Sequence, residues 1–273
     1  MQIFRTVNEL REFINLVNPE IGFVPTMGAL HDGHISLIKR CISENEISIV
    51  STFVNPTQFL PGEDLDAYPR NEARDIEICK QCGVDVMFIP TANQLYFKNE
   101  PLISAPENLA SILEGATRPG HFDGVLRVLN KLFNITCAKR AYFGKKDAQQ
   151  LAIVQNMVAT NFMNLEIVPC EIVRDNKGLA LSSRNAYLNE DEKEAALKLS
   201  SSLMHASNLI KMKHFGAKEI KEQMLEILRP LKVDYVAIVD RSFHEIPRVE
   251  LKNSIILIAA YVGKTRLIDN LWV

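Results

Sequence analysis

The chain has 273 residues, of which 47% are hydrophobic and 23% are charged, and its formal net charge is −2. This length and composition predict an ordinary globular protein with a substantial core and exclude a disordered or fibrous chain. Because the net charge is small, nothing electrostatic favours nucleic acid or an anionic membrane as a partner, and we expect small molecules or a second copy of the chain instead.

The N-terminal segment and the cysteines predict a cytoplasmic protein. Charged residues such as Arg5 and Glu9 interrupt any hydrophobic signal region, so we expect no signal peptide. The most apolar stretch, 254–262, is too short to span a bilayer. The five cysteines are scattered, and Cys79 and Cys82, although spaced as C-x-x-C, have no second pair to complete a metal site. We interpret these two as buried reduced thiols rather than a redox or metal centre.

The spacing of apolar residues predicts alternating helices and strands through the first part of the chain. In chain order it predicts a helix over 7–17, a strand over 21–25, a helix from about 35, a strand over 47–54, a helix over 70–82, a strand over 84–89, helices over 124–135 and 148–160 and a strand over 165–173. The strands alternate little between apolar and polar residues, which is typical of strands buried on both faces by crossover helices. The prediction is an α/β fold with a parallel sheet.

The pattern changes at the polar turn over 174–178, which predicts a second domain. Helices over 190–213 and 217–228 and strands over 233–239 and 255–262 follow it. We therefore predict a parallel-sheet domain over 1–173 and a smaller α+β domain over 174–273.

The most specific chemical feature is the loop PTMGALHDGH at 25–34, between a predicted strand and the next helix. Open α/β sheets bind ligands at the carboxyl ends of strands, and a helix that begins near Gly33 would present unpaired N–H groups to a phosphate. Because His31 and His34 are three residues apart, their imidazoles would project to the same side and could stabilise a departing pyrophosphate. A pair of zinc ligands, or two ordinary satisfied histidines, would also explain them.

Four further segments could carry chemistry. They are Asn55 with Gln58, Arg118 with His121, the segment FGKKDAQQ at 143–150 and the segment LSSRN at 181–185. Neutral amides suit a substrate with hydroxyl and carboxylate groups, whereas cations and hydroxyls suit phosphate oxygens. Each segment taken alone is also consistent with an ordinary polar turn.

Six blocks, in order and at suitable intervals, resemble the pantothenate synthetase (pantoate–β-alanine ligase) family. They are PTMGALHDGH, FVNPTQF, DLDAYPR, RPGHFDGV, FGKKDAQQ and LALSSRN. The resemblance implies a Rossmann-like ATP- and pantoate-binding domain followed by a small C-terminal lid domain, usually in a homodimer. It also implies a reaction in which ATP, with Mg²⁺, converts (R)-pantoate into pantoyl adenylate and pyrophosphate. The amine of β-alanine then displaces AMP to form pantothenate.

The resemblance implies roles for individual residues. The ATP contacts would be Met27, Gly28, Ala29, Leu30, His31, Asp32, Gly33, His34, Gly144, Lys145, Lys146, Asp147, Val173, Leu181, Ser182, Ser183 and Arg184. The catalytic groups among them would be His31, His34, Lys146 and Arg184. The substrate contacts would be Gln58 and Gln150, with Asn55, Arg118 and His121 as further candidates. Asp75 would be a possible Mg²⁺ contact.

Two positions depart from the family pattern. Lys145 stands where the family usually has Glu or Gln, and Leu181 stands where it usually has Met. Neither position supplies a proposed catalytic group, so we expect altered affinity at most.

Two rival functions remain. Another His-x-Gly-His nucleotidyltransferase would need extra cations for a phosphate-bearing acceptor, whereas the set formed by Asn55, Gln58 and Gln150 is neutral and favours pantoate. A non-catalytic protein that binds a metal through its paired histidines would contain stoichiometric zinc.

Overall fold

The computed structural model describes residues 1–17 and 19–273 and divides them into two compact units. The first unit comprises residues 1–145 and 149–171, and the second comprises 146–148 and 172–273. Within the described parts of the chain, no helix is both long enough and apolar enough to cross a membrane. The lid role of residues 174–273 stays a prediction.

The first unit is built on a six-stranded sheet. Its strands are β1 (Gln2–Phe4), β2 (Ile21–Thr26), β3 (Ile47–Thr52), β4 (Val86–Phe88), β5 (Arg140–Gly144) and β6 (Glu166–Cys170). Their order in the sheet is β1-β4-β3-β2-β5-β6, and the paired strands run parallel. The predicted Rossmann-like parallel architecture is confirmed.

The helices before β6 include those predicted over 7–17, from about 35, and over 70–82, 124–135 and 148–160, and also short helices between 92 and 117 that the pattern did not predict. They are α1 (Val7–Val17), α2 (Asp32–Glu44), α3 (Glu72–Cys82), α4 (Ala92–Leu95), α5 (Glu107–Ala110), α6 (Leu113–Thr117), α7 (His121–Thr136) and α8 (Ala148–Thr160). Helix α7 begins three residues before the predicted start at Gly124, because Gly120 turns the chain with a φ of 83°. Helix α3 begins after Asn71, whose side chain accepts from the backbone N–H of Arg74.

The core of the first unit explains why its strands are mostly apolar. On one side of the sheet, Val24, Val50 and Tyr142 pack with Leu37 of α2 and Cys79 of α3 in one buried cluster. Phe23, the neighbour of Val24 in β2, contacts Phe133 of α7 edge to face. Successive side chains of a strand point to opposite faces, so helices cover the sheet on both sides and favour apolar residues on each face.

The second unit has its own sheet and core. Its elements are α9 (Glu190–Lys211), α10 (Ala217–Leu228), β7 (Lys232–Asp240), β8 (Ser254–Val262) and β9 (Thr265–Trp272). The three strands form an antiparallel sheet in the order β7-β8-β9. Leu199, Leu203, Ile220 and Met224 of the helices pack with Ile256 and Ile258 of β8. The expected α+β composition is therefore observed in this unit.

Candidate active site

The polar loops follow three neighbouring strands of the parallel sheet. After β2 the chain forms β3 and β4 on one side of β2, and later β5 and β6 on the other side. The strand order therefore reverses between β2 and β5, which is where open α/β sheets form a ligand crevice. The loop 27–34 follows β2, Asn55 and Gln58 follow β3, and Gly144 ends β5.

The loop after β2 turns sharply and is held by a buried carboxylate. Gly28 and Ala29 both have positive φ angles, of 83° and 51°. Asp75 of α3 is only 1% exposed, and its two oxygens accept from the backbone N–H groups of Ala29 at 3.0 Å and Leu30 at 2.8 Å. Burial raises the pKa of this carboxyl group, against the lowering effect of the two backbone donors. These contacts make Asp75 the anchor of the loop, and its contact with Mg²⁺ stays a prediction.

Gly28 is required for a second reason, which is space. A Cβ at this position would lie 2.8 Å from Cγ2 of Thr52 and 2.9 Å from Oδ2 of Asp75. Thr26 also supports the turn, since its hydroxyl donates to the carbonyl of Ser51 at 2.7 Å and accepts from the N–H of Gly28 at 3.1 Å. The backbone of the loop therefore has one closely fitted conformation.

The two histidines of the loop cap helix α2. Nδ1 of His31 accepts from the backbone N–H of Gly33 at 3.2 Å, and Nδ1 of His34 accepts from the backbone N–H of His31 at 3.3 Å. Their ring centroids are 4.1 Å apart. A ring whose Nδ1 accepts carries its proton on Nε2 when neutral, so each imidazole is an N–H donor through Nε2. The structure thus confirms that the two rings lie together at a helix N-terminus.

The amides after β3 form a buried network. Asn55 donates through Nδ2 to Oε1 of Gln58 at 2.9 Å and to the carbonyl of Gly124 at 3.0 Å, while its Oδ1 accepts from the hydroxyl of Tyr96 at 2.5 Å. Nε2 of Gln58 lies 3.2 Å from Sδ of Met27 in the loop after β2. The structure therefore brings Gln58 beside that loop and places Asn55 behind it.

Arg118 and His121 face a neighbouring backbone and each other. Nδ1 of His121 lies 2.8 Å from the carbonyl oxygen of Gln58, and Nε2 lies 3.0 Å from Nη1 of Arg118. Arg118 also contacts both carboxylate oxygens of Glu63, at 2.6 Å and 2.7 Å. Burial, followed by the charge of Arg118, lowers the pKa of His121 to about 4.

Two candidates of the first unit lie after β5. Lys145 begins a 3₁₀ helix over Lys145–Asp147 and pairs with Glu171. Gln150 lies on the first turn of α8 and is partly buried. Its neighbour Gln149 is buried and donates to the carbonyls of Leu109 and Ile112, so it has a structural role.

The remaining predicted ATP contacts belong to the second unit. Leu181 and Val173 are joined by a backbone hydrogen bond of 3.0 Å across the 174–180 turn. Ser182 caps the 3₁₀ helix Ser183–Tyr187 by accepting from the N–H of Arg184. The carbonyl of Lys146 accepts from Nδ2 of Asn270 at 2.7 Å. The structure thus pairs Val173 with Leu181, whose separation in sequence hides that they are neighbours.

Two supporting residues have no signal in the sequence. Tyr96 and Glu63 contact site residues, but they lie outside the Gly-rich and His-rich segments. Thr26, which supports the turn at Gly28, lies within the segment PTMGALHDGH. Within residues 1–17 and 19–273, no group of three or more His, Cys, Asp or Glu side chains is placed to hold a metal ion. Cys79 is buried, as expected, whereas Cys82 is only partly buried. Burial raises the pKa of the Cys79 thiol to about 12, in agreement with an unreactive thiol rather than a redox centre.

Comparisons with known proteins identify close relatives. A family model described as "Pantoate-beta-alanine ligase" matches residues 2–272. The chain is 67% identical over 273 residues to a pantothenate synthetase of Campylobacter curvus and 66% identical to one of Campylobacter concisus, with full coverage of both chains in each case.

Two solved structures are also similar. Pantothenate synthetase from Thermus thermophilus is 38% identical with a TM-score of 0.96, over 100% of this chain and 99% of that one. A pantoate-beta-alanine ligase from Francisella tularensis, complexed with "Beta-gamma ATP and Beta-alanine", is 38% identical with a TM-score of 0.83, over 100% of this chain and 97% of that one.

Proposed function

The chain belongs to the pantoate–beta-alanine ligase family, and from this membership we propose how its residues divide the work of the reaction. The protein is a ligase that joins pantoate and β-alanine to form pantothenate, with ATP as co-substrate. The observation that carries the division of roles is that three polar segments follow the adjacent strands β3, β2 and β5. The proposed phosphate-binding loop after β2 therefore follows a strand adjacent to β3, after which the neutral amides Asn55 and Gln58 lie.

The proposed reaction has two steps. A carboxylate oxygen of (R)-pantoate attacks the α-phosphorus of ATP, and the bond from that phosphorus to the bridging oxygen breaks, so pyrophosphate leaves. The amine of β-alanine then attacks the acyl carbon of pantoyl adenylate, AMP leaves with the bonding electron pair, and the nitrogen loses a proton as the amide forms. Neither step requires a bond to the protein, so its residues act by position and charge.

His31 and His34 are proposed to stabilise the departing pyrophosphate. The support is that each Nδ1 accepts a backbone N–H, which leaves the Nε2 N–H as the donor. The N-terminus of α2 adds its backbone donors and its dipole, so anionic oxygens are favoured at this point. The proposed ATP contacts in this loop are Met27, Gly28, Ala29, Leu30, His31, Asp32, Gly33 and His34.

Gln58 and Gln150 are proposed to bind pantoate. A primary amide donates and accepts, so it can bind both the hydroxyl groups and the carboxylate of this substrate. Asn55 is proposed to act on the substrate through Gln58, since its Nδ2 holds Oε1 of Gln58 and thereby orients the Nε2 donor.

The second set of ATP contacts is proposed on the segments after β5 and β6. These residues are Gly144, Lys145, Lys146, Asp147, Val173, Leu181, Ser182, Ser183 and Arg184. Lys146 and Arg184 are proposed as the cations that stabilise negative charge on the reacting phosphates. Lys145 is proposed to contribute to affinity only, because its ammonium already pairs with Glu171.

Mg²⁺ is proposed to be carried mainly by the phosphates of ATP. The described residues provide no protein cage for a metal, and Mg²⁺ is commonly held by substrate phosphates, water and one or two carboxylates. Each oxygen of Asp75 keeps a lone pair beyond its backbone hydrogen bond, so this carboxylate is compatible with a metal contact. When bound, Mg²⁺ would neutralise part of the phosphate charge.

A cytoplasmic homodimer is the proposed state of the protein. The family resemblance supports both parts, and the thiols of Cys41 and Cys79 are buried with raised pKa values, as suits a reduced compartment. Light scattering on the purified protein would give the mass of the assembly. A mass near that of one 30.8 kDa chain would contradict the dimer.

The decisive experiment follows pyrophosphate and AMP separately. We expect pyrophosphate release from ATP only when pantoate is present, and AMP with pantothenate only after β-alanine is added. ATP turnover that is indifferent to both substrates would contradict the assignment.

Stoichiometric zinc in the purified protein, lost in His31→Ala, would support the metal-binding alternative.

His34 can be tested apart from its capping role. In His34→Asn, the amide oxygen can replace Nδ1 as the acceptor for the N–H of His31, but no donor remains at the position of Nε2. We expect turnover to fall by at least ~10²-fold, the usual size for one transition-state contact, while the unfolding temperature stays close to that of the wild type. His214→Asn, at an exposed position of the second unit, is the matched control, and equal turnover in the two variants would refute the role.

A further inference from the structure

The environment of His121 fixes the protonation state of its ring. His121 is the first residue of α7 and is 7% exposed. One ring nitrogen faces the carbonyl oxygen of Gln58 at 2.8 Å, and the other faces Nη1 of Arg118 at 3.0 Å. A carbonyl oxygen can only accept and a guanidinium can only donate. Nδ1 therefore carries the proton and Nε2 accepts, which is the neutral Nδ1–H tautomer.

The charged groups around the ring agree with this state. Arg118 disfavours a second proton on the imidazole, whereas Glu63 and Glu114 favour one. The pKa of His121 falls to about 4, so the lowering effects of burial and Arg118 are larger than the raising effects of the two carboxylates. The ring thus stays neutral at the pH at which a cytoplasmic enzyme works.

Arg118 is itself held on two sides. Its Nε and Nη2 atoms contact Oε1 and Oε2 of Glu63, and Nη2 also lies 3.3 Å from the carbonyl oxygen of Gln58. Glu63 in turn accepts from the backbone N–H of Leu60 at 3.0 Å. A bidentate pair of this kind fixes the plane of the guanidinium, so its remaining donor has one direction.

Both ends of Gln58 are therefore fixed. Its backbone carbonyl accepts from His121 and Arg118, while its side-chain oxygen accepts from Asn55. The contacts of Arg118 and His121 are with Glu63, with Gln58 and with each other, and these partners account for the direction of both side chains. This arrangement differs from that of a pair of substrate ligands, which would direct their polar atoms to the crevice.

We infer that Glu63, Arg118 and His121 form a positioning relay that sets the orientation of Gln58, and that neither Arg118 nor His121 binds pantoate directly. This inference rests on the proposed binding of pantoate by Gln58. The sequence suggests these two residues as substrate contacts, whereas this inference gives them the role of holding Gln58 in place.

Two variants of His121 separate the relay from a general structural role. In His121→Asn, the amide nitrogen replaces Nδ1 as a donor to Gln58, whereas His121→Leu has no donor at all. We expect His121→Leu to raise the KM for pantoate by roughly 10-fold or more, with the KM for ATP nearly unchanged, and His121→Asn to recover most of the affinity. His244→Asn, at an exposed position, is the matched control. Equal KM values for pantoate in the wild type and His121→Leu would overturn the inference, and so would a parallel rise in both KM values.

A double substitution distinguishes positioning from direct contact. If His121 acts through Gln58, then His121→Leu adds nothing further to the KM for pantoate in a Gln58→Ala background. Effects that multiply would show an independent contact and overturn the relay. If Gln58→Ala by itself left the KM for pantoate unchanged, the proposed role of Gln58 would fail together with this inference. If Gln58→Ala raised the KM for pantoate but His121→Leu did not, the relay would be wrong and the proposed function would stand.

A spectroscopic measurement keeps the test independent of activity. Nitrogen-15 NMR of the histidine-labelled protein at about pH 6, where an ordinary histidine is largely protonated, is expected to show His121 as the neutral Nδ1–H tautomer. The signal would be assigned by its loss in His121→Asn. A protonated ring, or a proton on Nε2, would overturn the hydrogen-bond directions on which the relay depends.

Discussion

At the scale of single residues, the three histidines that frame the site differ in which ring nitrogen accepts. In His31 and His34 the Nδ1 atom accepts a backbone N–H, so the outer nitrogen is the donor. In His121 the assignment is reversed, because Nδ1 faces a carbonyl oxygen and Nε2 faces a guanidinium. The neighbouring groups thus place the ring N–H on Nε2 in two imidazoles, as the proposed anion binding requires, and on Nδ1 in the third, where it supports the backbone.

The burial of His121 predicts how stability depends on pH. Its pKa is about 4 in the folded protein, against 6.5 when unperturbed, so the unfolded chain binds this proton first as the pH falls. The contribution to stability is complete above pH 6.5 and is lost as the pH falls from 6.5 to about 4. The contribution of His121 to the free energy of unfolding, measured by chemical denaturation, should be about 2 kcal/mol smaller at about pH 5 than at about pH 7.5.

The measurement for this prediction is the difference between the wild type and His121→Asn at the two pH values. The difference in the free energy of unfolding should shrink as the pH falls, because the variant lacks the titrating ring. A difference that is constant with pH would contradict the shifted pKa. His244→Asn controls for the titration of an exposed histidine.

Asp75 gives a second prediction at this scale. In Asp75→Asn, one of the two positions that now accept from Ala29 and Leu30 becomes an NH₂ group facing an N–H donor. We expect the KM for ATP to rise by about 10-fold and the free energy of unfolding to fall by roughly 1–3 kcal/mol. Steady-state kinetics and urea unfolding would measure both. Glu77→Gln, on the exposed face of the same helix, should change neither, and an Asp75→Asn protein with normal ATP affinity would refute the anchoring role.

At the scale of elements, helix α7 and the segment after β3 fit closely because Gly124 has no side chain. A Cβ there would overlap the carbonyl oxygen of Thr57 and would lie 2.7 Å from Cα of Gln58. The carbonyl of Gly124 also accepts from Asn55. The first turn of α7 therefore contacts Gln58 at two points. Its backbone packs against Gln58 at Gly124, and the ring of His121 faces the carbonyl oxygen of Gln58.

Gly124→Ala is predicted to disturb the substrate segment more than the helix. Alanine favours a helix, yet the new methyl group must displace backbone atoms of Thr57 and Gln58. Overpacking of this kind costs about 1–3 kcal/mol, and we expect the KM for pantoate to rise while that for ATP changes less. In Gly216→Ala the nearest neighbours of the new methyl lie at 4.0 Å, so this control should be tolerated. A Gly124→Ala enzyme with normal pantoate affinity would contradict the close fit.

The elements also show which local patterns are sufficient for prediction. Helix α1 and the buried strands β2 and β3 have long, consistent apolar patterns, and their positions agree with the prediction. The pattern did not predict β1, β5 or β9. Strand β1 has three residues and β5 has five, beginning with an arginine and ending with a glycine, so each is too short or too mixed for its own pattern to stand out. Their pairing with neighbouring strands decides their conformation.

At the scale of the whole molecule, each of the two units has a core of its own, and the proposed ATP contacts are drawn from both parts of the chain. The described residues offer no cage of three or more metal-binding side chains. A metal that serves the reaction is therefore expected to arrive with the nucleotide and to contribute little to folding.

Removal of divalent cations tests this expectation. We expect excess EDTA to abolish pantothenate formation and added Mg²⁺ to restore it, whereas the unfolding temperature of the protein without ATP should not change. Activity assays and thermal unfolding with and without EDTA would show both effects. A large fall in the unfolding temperature with EDTA would indicate a structural metal instead and contradict the proposal.

The sequence by itself determined the family, the parallel sheet and the position of the Gly- and His-rich loop after β2, because these depend on local patterns. The apolar strands, the glycines and the spacing of His31 and His34 are all visible within a few residues of one another. These signals were strong because each imposes a conformation or an interaction on the chain nearby.

Only the tertiary structure decided which groups the flanking residues contact. Asp75 lies 45 residues from Leu30 in the sequence, and His121 lies 63 from Gln58, yet Asp75 and His121 each hold the backbone of that distant residue. The family resemblance implied a possible metal contact for Asp75 and offered Arg118 and His121 as candidate substrate contacts. Asp75 and His121 meet these hydrogen-bond partners only when α3 and α7 pack beside the strand ends. These contacts favour positioning roles, and the sequence does not reveal them because the direction of a side chain depends on packing.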